Sequence, residues 1–335
     1  MVISRASVEP GTNMTSHDAA NATLAVETQN LTQRFGRSTA VDDLSLKIAQ
    51  GGVHALLGPN GAGKTTVVRV LTTLLRATSG HATVLGYDVV AQAAQVRQRI
   101  ASTGQFASLD EDLTGLENLA ILARLRGLRR RTAKNRAQVM LAAFGLTEAA
   151  NRQVRNYSGG MRRRLDIAAS LLVRPELLFL DEPTTGLDPR SRNEVWQAIR
   201  TLVSAGTTVI LTTQYLEEAD QLADRVTVLA KGRIAAEGTP SELKQIVGSG
   251  TLQIRFDQAE HARLAMSKLS EQHTNLAELN SEGLTVRVRM TDTSDAATLV
   301  SRLQQAGLHI TEFSLGQPSL DEVFLALTAP QALKE

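Results

Sequence analysis

Residues 53 to 66 read VHALLGPNGAGKTT and are followed by VVRVLTTLL, residues 67 to 75. Val53 to Leu57 form an apolar run of strand length, and Val67 to Leu75 carry the apolar spacing of a helix. Between them lie Gly58, Pro59, Asn60, Gly61, Ala62 and Gly63, then Lys64, Thr65 and Thr66. Strand, glycine loop, Lys-Thr and helix in that order are the setting of a P-loop. Glycines let backbone N–H groups wrap a polyphosphate, and the helix N-terminus beyond adds positive dipole. The pattern predicts that Lys64 neutralises β- and γ-phosphate oxygens. It also predicts that the Thr65 hydroxyl ligates Mg2+ and that Thr66 bonds the α-phosphate.

Such a cradle needs an acidic partner site. Leu177 to Glu182, LLFLDE, supplies an apolar strand ending in two carboxylates. Two acids imply two tasks: Asp181 holds the Mg2+ through its water shell, and Glu182 orients the attacking water and accepts its proton. Taken alone, the segment reads equally as a strand ending in solvated acids; its pairing with the glycine loop favours the chemical reading.

Outward from these sites, residues 25 to 240 alternate β-like runs with helix-period segments, the pattern of an α/β domain around a mostly parallel sheet. Residues from about 110 to 172 lose the strand signals and read as a helical insert, opened by a capping box of Thr114 and Glu117. A second capping box, Thr239 and Glu242 with Pro240 at the first helical position, comes just before a boundary. Residues 251 to 328 read strand, helix, two strands around a turn at Asn280 to Gly283, helix, strand, which is a ferredoxin-like α+β order. Residues 1 to 24 lack a continuous apolar stretch and predict a flexible leader.

Composition narrows the function. The 335 residues carry 36 Lys+Arg against 34 Asp+Glu, a net +2 too balanced for bulk-charge attachment to nucleic acid or lipid. The absence of cysteine excludes disulfides and thiolate chemistry. No apolar run approaches the roughly 20 residues that span a bilayer. The basic stretches Arg124 to Arg136 and Arg162 to Arg164 have no interleaved aromatics, so they read as a solvated helix face or a surface meeting acidic partner loops. His54 and Trp196 read as core residues, and His261 and His273 as too isolated for a metal site.

Between the cradle and the acids lies Tyr157-Ser158-Gly159-Gly160-Met161-Arg162, and with it the chain resembles ATP-binding cassette (ABC) ATPases, P-loop NTPases, over residues 25 to 240. The resemblance implies ATP and Mg2+ as ligands, with Ser158, Gly159 and Gly160 closing over the γ-phosphate bound by a second copy. A hydroxyl, unhindered glycine N–H groups and a helix N-terminus form an anion site that one copy alone leaves empty. Tyr157 replaces the family's usual Leu, and Met161 its usual Gln. The resemblance also makes Gln105 a contact to the metal or attacking water that faces the membrane partner. It makes Phe35 the aromatic stacked on adenine, where the alternative is a strand-end core residue. Asp188 becomes an acid crossing the dimer interface, where the alternative is a helix cap before Pro189. Gln214, after Thr212-Thr213, stands where the family has a histidine. Its amide can donate to a γ-phosphate oxygen or the water but cannot become cationic, which leaves Glu182 as the base.

Gly104-Gln105-Phe106, Asp110 to Gly115, the Thr-Thr-Gln segment and Pro318 to Leu325 (PSLDEVFL) resemble the daunorubicin-resistance type of ABC ATPase and extend the similarity to nearly the whole chain. That resemblance implies a cytoplasmic homodimer, peripheral on the inner face of the cell membrane. It would drive export of a drug, antibiotic or lipid-like substrate through a separate transmembrane permease, with no nucleic acid partner. The alternatives are an importer ATPase or a soluble switch acting on ribosomes or DNA. The ribosome- and DNA-acting types usually carry a second cassette or a long coiled coil, and neither occurs here. In the tail, Val323, Phe324 and Leu327 at helical spacing fit either an assembly surface or the private core of the small domain.

Overall fold

The computed structural model describes residues 23–103, 109–246, 250–272, 277–280, 283–290, 295–316, 320 and 323–324. Gln105, His273, Leu327 and most of the expected leader lie outside these residues. The chain opens with the hairpin β1 (Leu24–Phe35) and β2 (Ser38–Ala49), and β3 (Val53–Leu57) then runs through the glycine loop into α1 (Lys64–Leu71). Next come β4 (Ser79–Val84), β5 (Tyr87–Asp88), α2 (Ala93–Arg99) and β6 (Ile100–Thr103). Three helices follow: α3 (Gly115–Leu125), α4 (Arg130–Ala143) and α5 (Gly159–Ser170). The chain returns through β7 (Leu177–Asp181), α6 (Pro189–Ser204), β8 (Thr208–Thr213), α7 (Leu216–Leu222), β9 (Arg225–Ala230), β10 (Arg233–Gly238) and α8 (Pro240–Gln245).

The central sheet has the order β10-β9-β3-β8-β7-β6, parallel except where β10 turns back along β9. This order places the C-terminal ends of β3, β8 and β7 side by side, so the glycine loop, Gln214 and the Asp181-Glu182 pair emerge along one edge. Ligands bind at that edge of parallel sheets. The strands are buried on both faces, and period two sorts their side chains. Leu56, Phe179 and Ile210 face a core shared with Val26, Leu31 and Leu46. Ala55, Leu57, Leu178, Leu180, Val209 and Leu211 face the second core, with Leu119, Leu141 and Leu165 of α3, α4 and α5.

The expectation of one mostly parallel sheet is incomplete, because β1 and β2 form a separate antiparallel sheet, order β2-β1-β4-β5. Both capping boxes are present: Thr114 Oγ1 accepts from Glu117 N at 3.2 Å, and Thr239 Oγ1 from Glu242 N at 3.1 Å.

His54 is a core residue, 4% exposed, with Nε2 at 2.8 Å from Thr227 Oγ1. Burial, with a smaller effect from Arg225, pulls its pKa from 6.5 to about 4. The folded pKa is depressed, so the neutral ring supports the fold above pH 6.5, and that support is lost as pH falls towards 4. The 2.5-unit gap corresponds to about 3 kcal/mol. Denaturant unfolding across this window should therefore show stability falling with acid, and His54→Gln should flatten that part of the profile. An unchanged slope in the variant would assign the acid sensitivity to other groups.

Beyond α8, β11 (Gly250–Phe256), α9 (Ala259–Gln272), β12 (Ala277–Leu279), β13 (Thr285–Met290), α10 (Asp295–Gln305) and β14 (Ile310–Gly316) form the ferredoxin-like unit, with sheet order β12-β13-β11-β14. Leu252, Ile254, Phe256, Val286 and Val288 pack beneath Ala262, Ala265, Leu299 and Val300. Because α9 and α10 supply the cover for this core, the apolar tail does not complete it. Leu320 and Val323 instead belong to the buried cluster of Leu222, Val226 and Leu243, with Phe324 packed against it. For Val323 and Phe324 the private-core reading is thereby corrected, since these residues pack on the nucleotide-binding unit, while Leu327 lies outside the described residues.

Candidate functional site

The loop after β3 is clamped between two strands. A side-chain carbon on Gly58 would lie 2.4 Å from Leu229 O of β9, and one on Gly63, whose φ is 101°, 2.4 Å from Ala40 O of β2. Only glycine fits either position. Gly58 N donates to Thr213 O at 3.2 Å, which joins the loop directly to the segment carrying Gln214.

Lys64 begins α1 and is 4% exposed. Its Nζ donates to Gly58 O at 2.7 Å and Pro59 O at 3.0 Å and lies 3.9 Å from Glu182 Oε1. Burial pulls its pKa below the ordinary lysine range, opposed by Glu182 and then Asp181. An ammonium held by loop carbonyls and facing two carboxylates can exchange these partners for phosphate oxygens.

Thr65 Oγ1 donates to Asp181 Oδ1 at 3.2 Å, and that same oxygen accepts from Thr212 Oγ1. A hydroxyl beside a carboxylate at the mouth of the cradle is the oxygen donor set of a hard divalent cation. Glu182 N donates to both Thr212 O and Thr212 Oγ1 at 3.1 Å, while Thr185 Oγ1 donates to Glu182 Oε2 at 3.2 Å. Glu182 has φ 47°, a left-handed backbone rare in a non-glycine residue and worth about 1–3 kcal/mol of strain.

The other predicted positions divide by place. Gly61, Ala62 and Thr66 lie in the loop and at the start of α1 with Lys64, and Pro59 and Asn60 are in the loop's first half. Gln214 is half-buried just after β8. Phe35 is 48% exposed at the β1–β2 hairpin, which removes the core alternative. Asp188 caps α6, accepting from Ser191 N at 3.0 Å and Ser191 Oγ at 2.6 Å, so in the single chain it acts as the helix cap. Those bonds hold its carboxyl below the usual range.

Ser158 is the N-cap of α5, its Oγ accepting from Met161 N at 3.2 Å. Gly159 is exposed, whereas Gly160 backs onto α6, where an added side-chain carbon would lie 2.4 Å from Ser191 Oγ. The two departures in this segment have a structural cause. The Tyr157 hydroxyl donates to Ala149 O at 2.7 Å in space left by Gly115, and Arg152 lies over the Tyr157 ring and donates to Met161 Sδ.

Three features escape the sequence reading. Thr212 ties both acids to the strand before Gln214. Glu218 of α7 is fully buried, accepting from Thr184 Oγ1 at 2.9 Å and Trp196 Nε1 at 3.2 Å, and burial raises its pKa against these bonds. The basic run on α5 is not simply a solvated face: Arg163 donates to Pro183 O and Asp181 O, and Arg164 donates to Phe144 O and pairs with Glu194. Only Arg162 meets the surface acid Glu111. Arg136, at the end of the other basic stretch, likewise turns inward, onto Leu171 O and Leu172 O. Alternation of charge along the chain does not reveal which cations point inward.

A P-loop between the strands of a parallel sheet, paired acids on the next strand but one, and a serine-capped glycine helix in an inserted helical layer define an ATP-binding cassette. Residues 41–185 match the ABC transporter family, and residues 238–328 match the C-terminal domain of DrrA1-3-like ATP-binding proteins. The chain is 51% identical over 310 residues to the daunorubicin/doxorubicin resistance ATP-binding protein DrrA of Streptomyces peucetius, covering 92% of this chain and 94% of that protein. It is 43% identical over 318 residues to the doxorubicin resistance ATP-binding protein DrrA of Mycobacterium tuberculosis, covering 92% and 95%. A crystal structure of an ABC transporter cassette in its ADP conformation matches with TM-score 0.59 at 26% identity, covering 65% of this chain and 92% of that one. The chain belongs to the DrrA-type ATP-binding proteins of ABC transporters, and its cassette is an ATPase.

Proposed function

We propose that this chain is the ATP-hydrolysing subunit of a drug exporter of the daunorubicin class, working as a head-to-tail dimer with a separate membrane permease. The observation that carries the reading is 51% identity over 92% of the chain to a protein named for daunorubicin and doxorubicin resistance, together with the match of residues 238–328 to the C-terminal domain of DrrA1-3-like proteins. The intact cradle and acid pair support it. Among the described residues no helix is long and apolar enough to cross a membrane, so the path for the drug is assigned to another chain.

In this reading Phe35 stacks on adenine, the loop N–H groups and Lys64 bind the phosphates, and Ser158 to Gly160 of one copy cover the nucleotide of the other. Mg2+ would be held by Thr65 and, through water, by Asp181. It would supply charge neutralisation at the β- and γ-phosphates. Glu182 takes the proton of the attacking water, and Gln214 orients that water or the γ-phosphate by hydrogen bonding. ATP favours the closed dimer and hydrolysis removes that preference, so closure is transmitted to the permease on the inner face of the cell membrane.

The test is co-expression with a candidate membrane permease in a daunorubicin-sensitive host. Energy-dependent drug efflux that vanishes with Glu182→Gln is expected. Unchanged drug retention, in the presence of confirmed ATPase activity, would overturn the substrate assignment.

A further inference from the structure

We infer that Arg163 is a positioning residue that holds the Glu182 backbone and links it to the nucleotide covered by the same helix at the other site. The Arg163 guanidinium spans Glu182 from one side: Nη2 donates to Asp181 O at 3.0 Å and Nε to Pro183 O at 2.9 Å, the carbonyls immediately before and after the glutamate. From the other side, Thr212 takes the Glu182 N–H. The left-handed φ of 47° is therefore gripped on both flanks, as a strained residue requires if it is to persist.

On the Arg163 side Thr185 adds its own bonds, from N to Glu182 O at 3.4 Å and from Oγ1 to Glu182 Oε2 at 3.2 Å, but neither reaches the carbonyls that Arg163 grips. A cavity of about 430 Å³ opens there, lined by Gly159, Arg163, Asp166, Glu182, Thr185 and Leu187. Asp166, one turn along α5, lies 3.2 Å from Arg163 Nη1 and supplies the counter-charge. A largely buried ion pair of this kind adds little net stability, so its value lies in fixing geometry.

Arg163 follows Ser158 by five residues on one helix, about 7.5 Å along its axis. On the reading proposed above, Ser158 engages the γ-phosphate in the second copy while Arg163 grips the base in its own. A shift or rotation of α5 on closure thus reaches Glu182 through two hydrogen bonds, and occupancy of one site sets the geometry of the other. Each chain would then report one ATP to the other's hydrolysis, which is a coupling between sites.

Lysine keeps the charge but cannot span two carbonyls. With Arg163→Lys, ATP affinity and the thermal midpoint should stay near wild type. kcat should fall roughly 10- to 100-fold, the scale of an ångström-level misplacement, and the Hill coefficient for ATP should drop from about two towards one. Arg163→Gln combined with Asp166→Asn, which removes both charges of the pair together, should lower kcat by a similar factor and serves if the lysine variant does not fold. Wild-type kcat and cooperativity in a folded variant would overturn the coupling role while leaving the exporter reading intact. Absence of ATP binding in the wild-type chain would instead defeat the parent reading.

Discussion

Glu182→Gln should reduce kcat by about 10²- to 10⁴-fold, the range expected when a positioned general base is lost, while ATP binding is retained or tightened. The carboxylate stands at the end of β7, 3.9 Å from the Lys64 ammonium and bonded by Thr185. Glutamine has the same shape, occupies the same left-handed backbone at no additional cost and keeps an oxygen for Thr185, so the backbone bonds to Thr212 survive. What disappears is the proton acceptor. A negative charge beside the phosphates disappears too, which favours the bound nucleotide. Single-turnover phosphate release and equilibrium ATP titration separate the two effects. A kcat within a few-fold of wild type would move the base function elsewhere, because the Gln214 amide cannot accept that proton at neutral pH.

Lys64→Ala should weaken ATP binding by about 10- to 150-fold, the equivalent of the 1.5–3 kcal/mol of a charge-assisted hydrogen bond, with little change in stability without nucleotide. The buried amine carries a desolvation cost, visible as the downward pKa shift, and this cost is offset in the free chain by two loop carbonyls and the acid pair. Deletion removes the cost and the compensation together. The nucleotide-bound protein has no such balance, since the triphosphate loses the one cation that the cradle supplies among the described residues. Thermal unfolding with and without ATP checks both halves: saturating nucleotide stabilises the wild type by about 2.7 kcal/mol at a hundredfold excess over Kd, and the variant should need far more ATP for the same shift. Equal ATP-induced shifts would remove Lys64 from the binding site.

The sequence shows the cradle, the acid strand and the C-terminal strand order because each is local: strand, glycine run and helix adjoin, and apolar period reports burial directly. It does not show what depends on contacts between distant segments. The β1–β2 sheet is not legible in the sequence because an antiparallel hairpin before the cradle carries no chemical motif, and Phe35 at its tip reads as core or ligand contact until its exposure is known. Thr212 looks like an ordinary strand residue until β8 lies beside β7 in register. Arg163 is hidden among three consecutive arginines, of which two turn inward and one meets a surface acid. Tyr157 reads as a departure from the family, yet its hydroxyl explains it once Gly115, 42 positions earlier, is seen to leave the space.

The most direct test of the shared site is activity in a mixture of two defective chains, Lys64→Ala and Ser158→Arg. Each variant alone should be nearly inactive, one for want of the cradle lysine and the other for want of the lid. In a mixed dimer, one of the two sites combines an intact cradle from the Ser158→Arg chain with an intact lid from the Lys64→Ala chain, so ATPase activity should reappear on mixing, at a level lowered by the missing signal from the doubly defective site. If each chain covers its own nucleotide, no combination restores a complete site. A mixture no more active than its components, with mixed dimers demonstrated, would contradict the account.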